Sequence, residues 1–310
     1  MELVDFDACE LSYRTYEGNA GRKRGIIWRG DNWLIKYPEN TAGMRGHVLS
    51  YTTSPVSEWL GSHIYALAGI DVHQTVLGIS QGKLVCACRD FCPAGVTLAT
   101  FKSIKNSDPR DRLLPDGSAS SGNSTYLSDV LETLVTSPIL SQVEGAVDRF
   151  WEMFVVDALI RNTDRNNTNW GLLRQGDGPS AHMSLAPVYD NGNSFYNKRT
   201  LSRTQDALLE EGRVEREALR DVTSIFLDDT GKKIQPFDYM ARASDPHLIE
   251  AIGRIANQLD LSQALSLIDE LPQVACGAEI MPDDVRAFHR RCLVTRWERG
   301  VLPIVRQAEN

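Results

Sequence analysis

The chain reads as an α+β protein of two lobes: a small antiparallel sheet carrying one helix, then a larger and mainly helical part. Three observations predict this. Residues 1–90 alternate short strand-like runs and turn residues around a single amphipathic stretch. From Ser202 onward apolar residues recur mainly at helical spacing. Between these regions an apolar helix delivers the chain into Arg161–Gly171, a stretch dense in amides and charges that leads into a short hydrophobic run. The expected lobes are therefore 1–90 and 91–310.

Composition narrows the class. Of 310 residues, 42% are hydrophobic and 24% charged, which is ordinary for a soluble globular protein. The net charge of -8 supplies no global basic field to attract nucleic acid or an anionic membrane. No apolar run reaches the ~18 residues a membrane-spanning helix needs. Met1–Asp7 is acidic and lacks the basic-then-apolar order of a signal peptide. The six cysteines show no disulfide framework. Cys86, Cys88 and Cys92 lie close together in a strand-like run, and no second Cys or His pair has zinc spacing. A reduced, cytoplasmic protein is expected, with delivery into another cell by a non-classical route compatible with the same composition.

Residues 17–25 form a basic, glycine-bearing turn with the pattern G-x-x-G-x-x-x-G across Gly18, Gly21 and Gly25. Such a turn lets backbone N–H groups approach phosphates, and it also serves ordinary hairpins. Ile26–Arg29 reads as a strand, Gly30–Asn32 as a turn and Trp33–Tyr37 as the returning strand. Period-two alternation puts Leu34 on the face of Lys36 and Ile35 on the other. Lys36 has two readings, a stem that snorkels to solvent or a cation for phosphates. Ser54 as N-cap and Pro55 at the first helical position open a helix with Val56, Leu60, Ile64 and Leu67 on one stripe, closed by Gly69. Glu58 either favours that helix start through the dipole or pairs with Lys36. His73–Ile79 and Lys83–Arg89 are two further strands. Arg89-Asp90-Phe91 is the crossing into the larger lobe.

Ser103–Thr125 is rich in turn and linker residues and reads as a mobile loop. Leu127–Val135 is a helix. A longer helix opened by Ser137-Pro138 turns Val143, Val147, Phe150, Trp151, Phe154, Val155 and Ala158 inward. Trp170–Leu173 and Met183–Val188 are strands, the second ending in Tyr189-Asp190-Asn191-Gly192-Asn193. Pro246–Leu259, Leu261–Glu270 and Asp283–Arg306 carry helical periodicity. His289-Arg290-Arg291 reads as a solvated face of the last helix.

Asp164 followed five residues later by Asn169 is the spacing of a phosphotransferase catalytic loop, although Asp and Asn also favour turns for local reasons. The order of the pieces adds weight: the glycine turn, Lys36, Glu58, Asp164, Asn169 and Asp190. ATP brings several negative charges, and two like charges ~4 Å apart cost ~4 kcal/mol at an effective dielectric near 20. Mg²⁺ held by the hard oxygens of Asn169 and Asp190 relieves that conflict. Lys36 adds a point charge on the phosphates, and Asp164 is left to orient or deprotonate an acceptor hydroxyl.

These motifs resemble the HipA-like serine/threonine kinases, and especially their compact CtkA-like branch. The likeness rests on Gly18–Lys23, Leu34-Ile35-Lys36-Tyr37-Pro38, Ser57–Tyr65, Asp164–Gly171 and Ala186–Asp190, and covers roughly residues 15–195. It implies a protein-kinase-like fold, ATP and Mg²⁺ use, and phosphorylation of Ser or Thr on a protein substrate, with autophosphorylation. It also implies Asp164 as base, Asn169 and Asp190 as metal ligands and Lys36 on phosphate. Gly18, Asn19, Ala20, Gly21, Arg22 and Lys23 would cover the triphosphate, while the backbone of Cys88, Arg89, Asp90 and Phe91 meets adenine. Asn166 stands where longer members place histidine and is counted with the nucleotide-binding residues. The residues before Gly18 do not accommodate those members' extra N-terminal subdomain. Residues 18–25 contain no Ser or Thr, so the self-silencing serine of some members has no counterpart. A paired antitoxin-like partner belongs to the same inheritance. Two other readings compete: a phosphoinositide or small-molecule kinase, against which the acidic charge argues, and a catalytically silent interaction protein, which should lack a catalytic group.

Overall fold

A computed structural model describes residues 1–16, 22–41, 52–108 and 110–308. Six of the described strands form one sheet: β1 (Val4–Asp5), β2 (Glu10–Leu11), β3 (Lys23–Trp28), β4 (Asp31–Lys36), β5 (Thr75–Ser80) and β6 (Lys83–Arg89). Their spatial order is β1-β5-β6-β4-β3-β2, antiparallel except where β1 runs parallel to β5. Two hairpin turns set the registers. Arg29 and Gly30 have φ of 52° and 84°, and Gln81 and Gly82 have 51° and 68°. Both pairs are left-handed, the two-residue turn whose twist suits a hairpin. The first turn therefore lies one residue earlier than the sequence suggests, and Asp31 already pairs with Trp28.

Strand alternation divides the sheet into two faces. Ile26, Trp33, Ile35, Tyr37, Val85 and Ala87 bury against Phe6 on the outer face. Leu34, Cys86 and Cys88 face the helix α1 (Ser54–Leu67) with Val56, Leu60 and Ile64. Lys36 shares the inner parity, so an apolar strand carries its ammonium toward the interior side. Full burial of each such aliphatic side chain contributes about 1.5–3 kcal/mol. Thr53, not Ser54, occupies the N-cap of α1, and Glu58 falls in the second turn, where the dipole argument no longer applies.

The second part is built around α4 (Ala146–Ile160), fully buried at Trp151, Val155, Val156, Leu159 and Ile160. Before it come β7 (Val96–Thr100), α2 (Phe101–Asn106) and α3 (Leu127–Thr136). Periodicity suggested that Ser137-Pro138 opens one continuous helix. Instead a short 3-10 turn, Leu140–Gln142, is followed by Gly145 at φ 74°, and α4 starts afresh. After α4, β8 (Gly171–Gln175) and β9 (His182–Leu185) join β7 in an antiparallel three-stranded sheet. The sequence reading missed β7. The pairing brings Gly171 so near β7 that an added Cβ would lie 2.2 Å from the Ala99 carbonyl oxygen.

The remaining helices are α5 (Leu201–Leu209), α6 (Arg213–Arg220), α7 (Pro236–Met240), α8 (Pro246–Gln258), α9 (Leu261–Glu270), α10 (Asp283–Thr295) and α11 (Leu302–Ala308). α8 lies along α4, burying Leu248, Ala251, Ile252 and Ile255. Wider π turns at Arg296–Val301 interrupt the last predicted helix. His289 is buried rather than solvated. Burial and the nearby Arg296, Arg199 and Arg161 push its imidazole down to about 3. Ser103–Thr125 is not a slack loop either: the Asn167 amide donates to the carbonyls of Gly122 (2.9 Å) and Ser124 (2.7 Å), while Ser120 reaches Asp129. Among the described residues no helix is long and apolar enough to cross a membrane. All six cysteines are free thiols.

Candidate active site

The polar loop after α4 begins where Arg161 adopts a left-handed φ of 57° and ends the helix. Asp164 follows, partly buried, with both carboxylate oxygens engaged by amides. Asn193 Nδ2 donates to Oδ2 at 2.9 Å and Asn166 Nδ2 to Oδ1 at 3.0 Å. Asn169 Nδ2 donates to the Asp164 backbone carbonyl at 2.8 Å, which folds the loop back and turns its own Oδ1 away to meet the Thr168 hydroxyl at 3.1 Å. The Asn166 amide, expected toward nucleotide, closes hydrogen bonds inside the loop to Asp164 and Thr168.

Arg165 holds this loop to its surroundings. Its guanidinium is 3% exposed and meets the Asp157 carboxylate through Nε at 2.8 Å and Nη2 at 3.0 Å. The same group donates to the carbonyls of Asn169 and Tyr189 and to Asn191 Oδ1. Burial opposes its charge, but Asp157 and Tyr65 more than offset that and raise its pKa. One side chain thus fixes α4, the loop carrying Asn169 and the segment carrying Asp190.

Asp190 sits at φ 60°, with its side chain 43% exposed. Lys36 Nζ lies 2.8 Å from Asp190 Oδ1 and 2.8 Å from Glu58 Oε2. The two readings of Glu58 therefore resolve toward the lysine pair. Burial disfavours its charge, yet Lys36 and His73 hold the carboxyl well below its usual range. Lys36 in turn is raised, with Asp190 and Glu58 overcoming its own burial. Glu58 Oε1 also accepts the Asn191 N–H at 3.1 Å. That approach needs Gly61: an added Cβ would meet Asn191 Cβ at 2.9 Å.

Lys23 pairs with Lys36 across β3 and β4, and burial followed by Lys36 lowers its pKa. Arg22 lies just before β3, its guanidinium 5.1 Å from the Tyr37 ring centre. Gly18, Asn19, Ala20 and Gly21 lie outside the described residues. Cys88 and Arg89 end β6, and Asp90 and Phe91 cross to the second part. Asp90 does not stand open: Arg14 pairs with its carboxylate and the Tyr16 hydroxyl donates to it at 2.9 Å. Phe91 lies 5.6 Å from Tyr189, which immediately precedes Asp190. Arg14, Tyr16, His73, Asp157, Asn191 and Asn193 were not singled out from sequence. For the last two, the amide-rich run Asp190–Asn193 was the available signal.

The arrangement offers a cation fixed between two carboxylates, two hard oxygen donors, and a third carboxylate oriented by amides, which is the equipment of phosphoryl transfer. No family model matches the chain. It is 30% identical over 275 residues to the serine/threonine-protein kinase CtkA of Helicobacter pylori strain J99, spanning 88% of this chain and 80% of that one. Its structure superposes on the crystal structure of the Helicobacter pylori proinflammatory kinase CtkA with TM-score 0.85 at 26% identity, over 100% of this chain and 99% of the other. A chain of the Shewanella oneidensis toxin–antitoxin complex of HipA, HipB and operator DNA matches at TM-score 0.54 and 15% identity, over 99% of this chain and 69% of that one, which shows a shared fold. This chain belongs to the CtkA family of serine/threonine protein kinases, ATP-dependent phosphotransferases on a two-lobed HipA-like fold.

Proposed function

We propose that the chain transfers the γ-phosphoryl group of ATP to a Ser or Thr hydroxyl of a protein, with Asp164 as the base, and that it also phosphorylates itself. The observation that carries the site assignment is Lys36 Nζ, 2.8 Å from both Glu58 Oε2 and Asp190 Oδ1. Pairing with Glu58, itself 1% exposed, fixes the ammonium for the phosphates, while half-exposed Asp190 is available to a metal. The boundary between lobes falls near residue 90, with the nucleotide between them. The backbone of Cys88–Phe91 meets the adenine, and Gly18–Lys23 covers the triphosphate.

The donor set fits Mg²⁺. Asn169 Oδ1 and the Asp190 carboxylate are hard oxygens, and Asp190 Oδ1 is met by Lys36. Asn169 and Asp190 would hold the ion, which would supply positive charge against the phosphate charge that develops in transfer. The protein's own part is positional and acid–base. Asn193 and Asn166 hold the Asp164 carboxylate in one orientation, leaving lone pairs to accept the acceptor hydroxyl proton. Arg165 keeps Asn169 and the Tyr189–Asn191 segment in register, so that base and metal ligands move as one unit.

The test is incubation with labelled ATP and Mg²⁺, alone and with cell lysate, comparing wild type with Asp164→Ala. Wild type should label protein and itself, and intact-mass and peptide mapping should locate the self-phosphorylated hydroxyls. Asp164→Ala should lose transfer while retaining ATP. Equal, negligible labelling by both would overturn the reading, and label confined to lipid would replace the acceptor class.

A further inference from the structure

We infer that Glu58, His73 and Cys88 form a second metal site, for a zinc-like divalent cation, whose occupation switches the kinase off by drawing Glu58 Oε1 away from the Asn191 N–H beside Asp190. The inference rests on the assignment of Lys36 and Glu58 to phosphoryl transfer. The three residues come from α1, the segment before β5, and β6. Each offers one ligand atom, all within 4.8 Å of one another, and all three residues are buried. Thiolate, imidazole and carboxylate are the donors zinc prefers, and three protein ligands with an open fourth position are a regular zinc arrangement.

Three further observations support an ion here. His73 Nε2 stands 3.0 Å from Glu58 Oε1, so the imidazole and carboxylate already converge on one point. Thr75 lies directly opposite Cys88 in the β5–β6 register, on the same face. Its hydroxyl is buried with no hydrogen-bond partner among the described residues, a polar atom in want of a ligand or ligand-bound water. There is also a way in. A surface cleft of about 470 Å³ is lined by Trp33, Ser62, His63, His73, Thr75 and Arg89, and so meets the cluster at His73.

Lys36 meets the carboxylates of Glu58 and Asp190, His73 also stands beside Glu58, and Lys23 lies within electrostatic reach of both carboxylates and of Cys88. On binding, the Cys88 thiol releases its proton to solvent and the imidazole carries its hydrogen on Nδ1, so Nε2 exchanges its contacts with Glu58 Oε1 and the Ser62 hydroxyl at 3.1 Å for the ion. The consequence for catalysis is steric and electrostatic at once. The convergence with His73 is at Glu58 Oε1, so ligation there takes the acceptor from the Asn191 N–H and disturbs the segment that carries Asp190, while Oε2 stays with Lys36.

The test uses the full chain, with Mg²⁺ held constant and Zn²⁺ or Cd²⁺ added. Cd²⁺ should give a thiolate charge-transfer band with a tight one-to-one phase. That affinity should fall at least about tenfold in Cys88→Ser and in His73→Gln, and remain unchanged in the exposed-thiol control Cys276→Ser. Zinc X-ray absorption of wild type should show one sulfur at ~2.3 Å and nitrogen or oxygen ligands at ~2.0 Å, which requires no variant to fold. Phosphoryl transfer should fall with the tight phase, and His73→Gln should shift the inhibiting Zn²⁺ concentration upward by the same factor. Tight binding indifferent to both ligand substitutions, or absorption without a sulfur neighbour, overturns the site. A metal-free protein that binds Cd²⁺ through Cys88 and His73 yet transfers no phosphate would sink the kinase assignment and leave the metal site standing.

Discussion

Replacing Arg165 with methionine separates what this side chain does for stability from what it does for the reaction. In the substituted protein the Asp157 side chain, 8% exposed, stays buried and keeps, among the described residues, the Tyr65 hydroxyl at 2.7 Å and the Asn162 amide at 3.1 Å as partners. Breaking a buried ion pair from one side costs about 3–5 kcal/mol. The carbonyls of Asn169 and Tyr189 and the Asn191 side-chain oxygen also lose a donor, each about 1–3 kcal/mol if left unsatisfied. With the freed acceptors partly re-satisfied by water, the loss should be at or above about 5 kcal/mol, against a total stability on the order of 5–15 kcal/mol. Adding Asp157→Asn removes the stranded charge and should return at least about 2 kcal/mol. It cannot restore the link between the Asn169 loop and the Asp190 segment. A misplacement of about 1 Å there costs on the order of 100-fold in rate. Urea unfolding and phosphoryl transfer should be measured on wild type, Arg165→Met and the double variant. The expected outcome is a double variant that folds well and transfers at least about 100-fold more slowly. Recovery of both stability and rate in the double variant would refute the positional role and leave Arg165 as a structural ion pair.

Other expected outcomes follow the same geometry. Asp190→Ala should weaken Mg·ATP binding, whereas Asp164→Ala should not; tight Mg·ATP binding by the Asp190 variant would remove it from the metal set. Asn193→Ala deletes one amide from Asp164 Oδ2, worth about 1–1.5 kcal/mol, so kcat should fall roughly tenfold with KM for ATP unchanged. Gly61→Ala places a Cβ 2.9 Å from Asn191 Cβ and should cost about 1–3 kcal/mol in thermal unfolding, together with slower transfer. His289 is held neutral down to about 3 in the folded protein, while in the unfolded chain it takes up a proton near 6.5. Between these values only the unfolded state is protonated, so stability falls with falling pH by up to about 1.4 kcal/mol per unit from this group. His289→Gln should flatten that limb of the stability profile; an unchanged slope would show that His289 titrates normally.

The sequence by itself determined the order of the parts. Glycine turns, period-two alternation and one capped amphipathic stretch dictated hairpin, helix, hairpin, because those signals are local to a few residues. The spacing of Asp164 and Asn169 lies within one loop, and the parity of Lys36 lies within one strand, so both were legible. Tertiary structure decided what meets what. Glu58 could favour a helix start or pair with Lys36, and burial against β4 chose the pair. His289 looked solvated beside Arg290 and Arg291, until packing against Phe195 and Tyr196 enclosed it. Gly145 broke a helix whose apolar period ran on, because a left-handed residue interrupts the backbone without disturbing the pattern of side chains. Cys88 offered no zinc spacing because its companions, Glu58 and His73, arrive from other elements. Likewise Arg165 reads as one more charge in a polar loop. Only the fold surrounds it with Asp157, Asn169, Tyr189 and Asn191, since a buried guanidinium needs partners from several directions and no single segment can supply them.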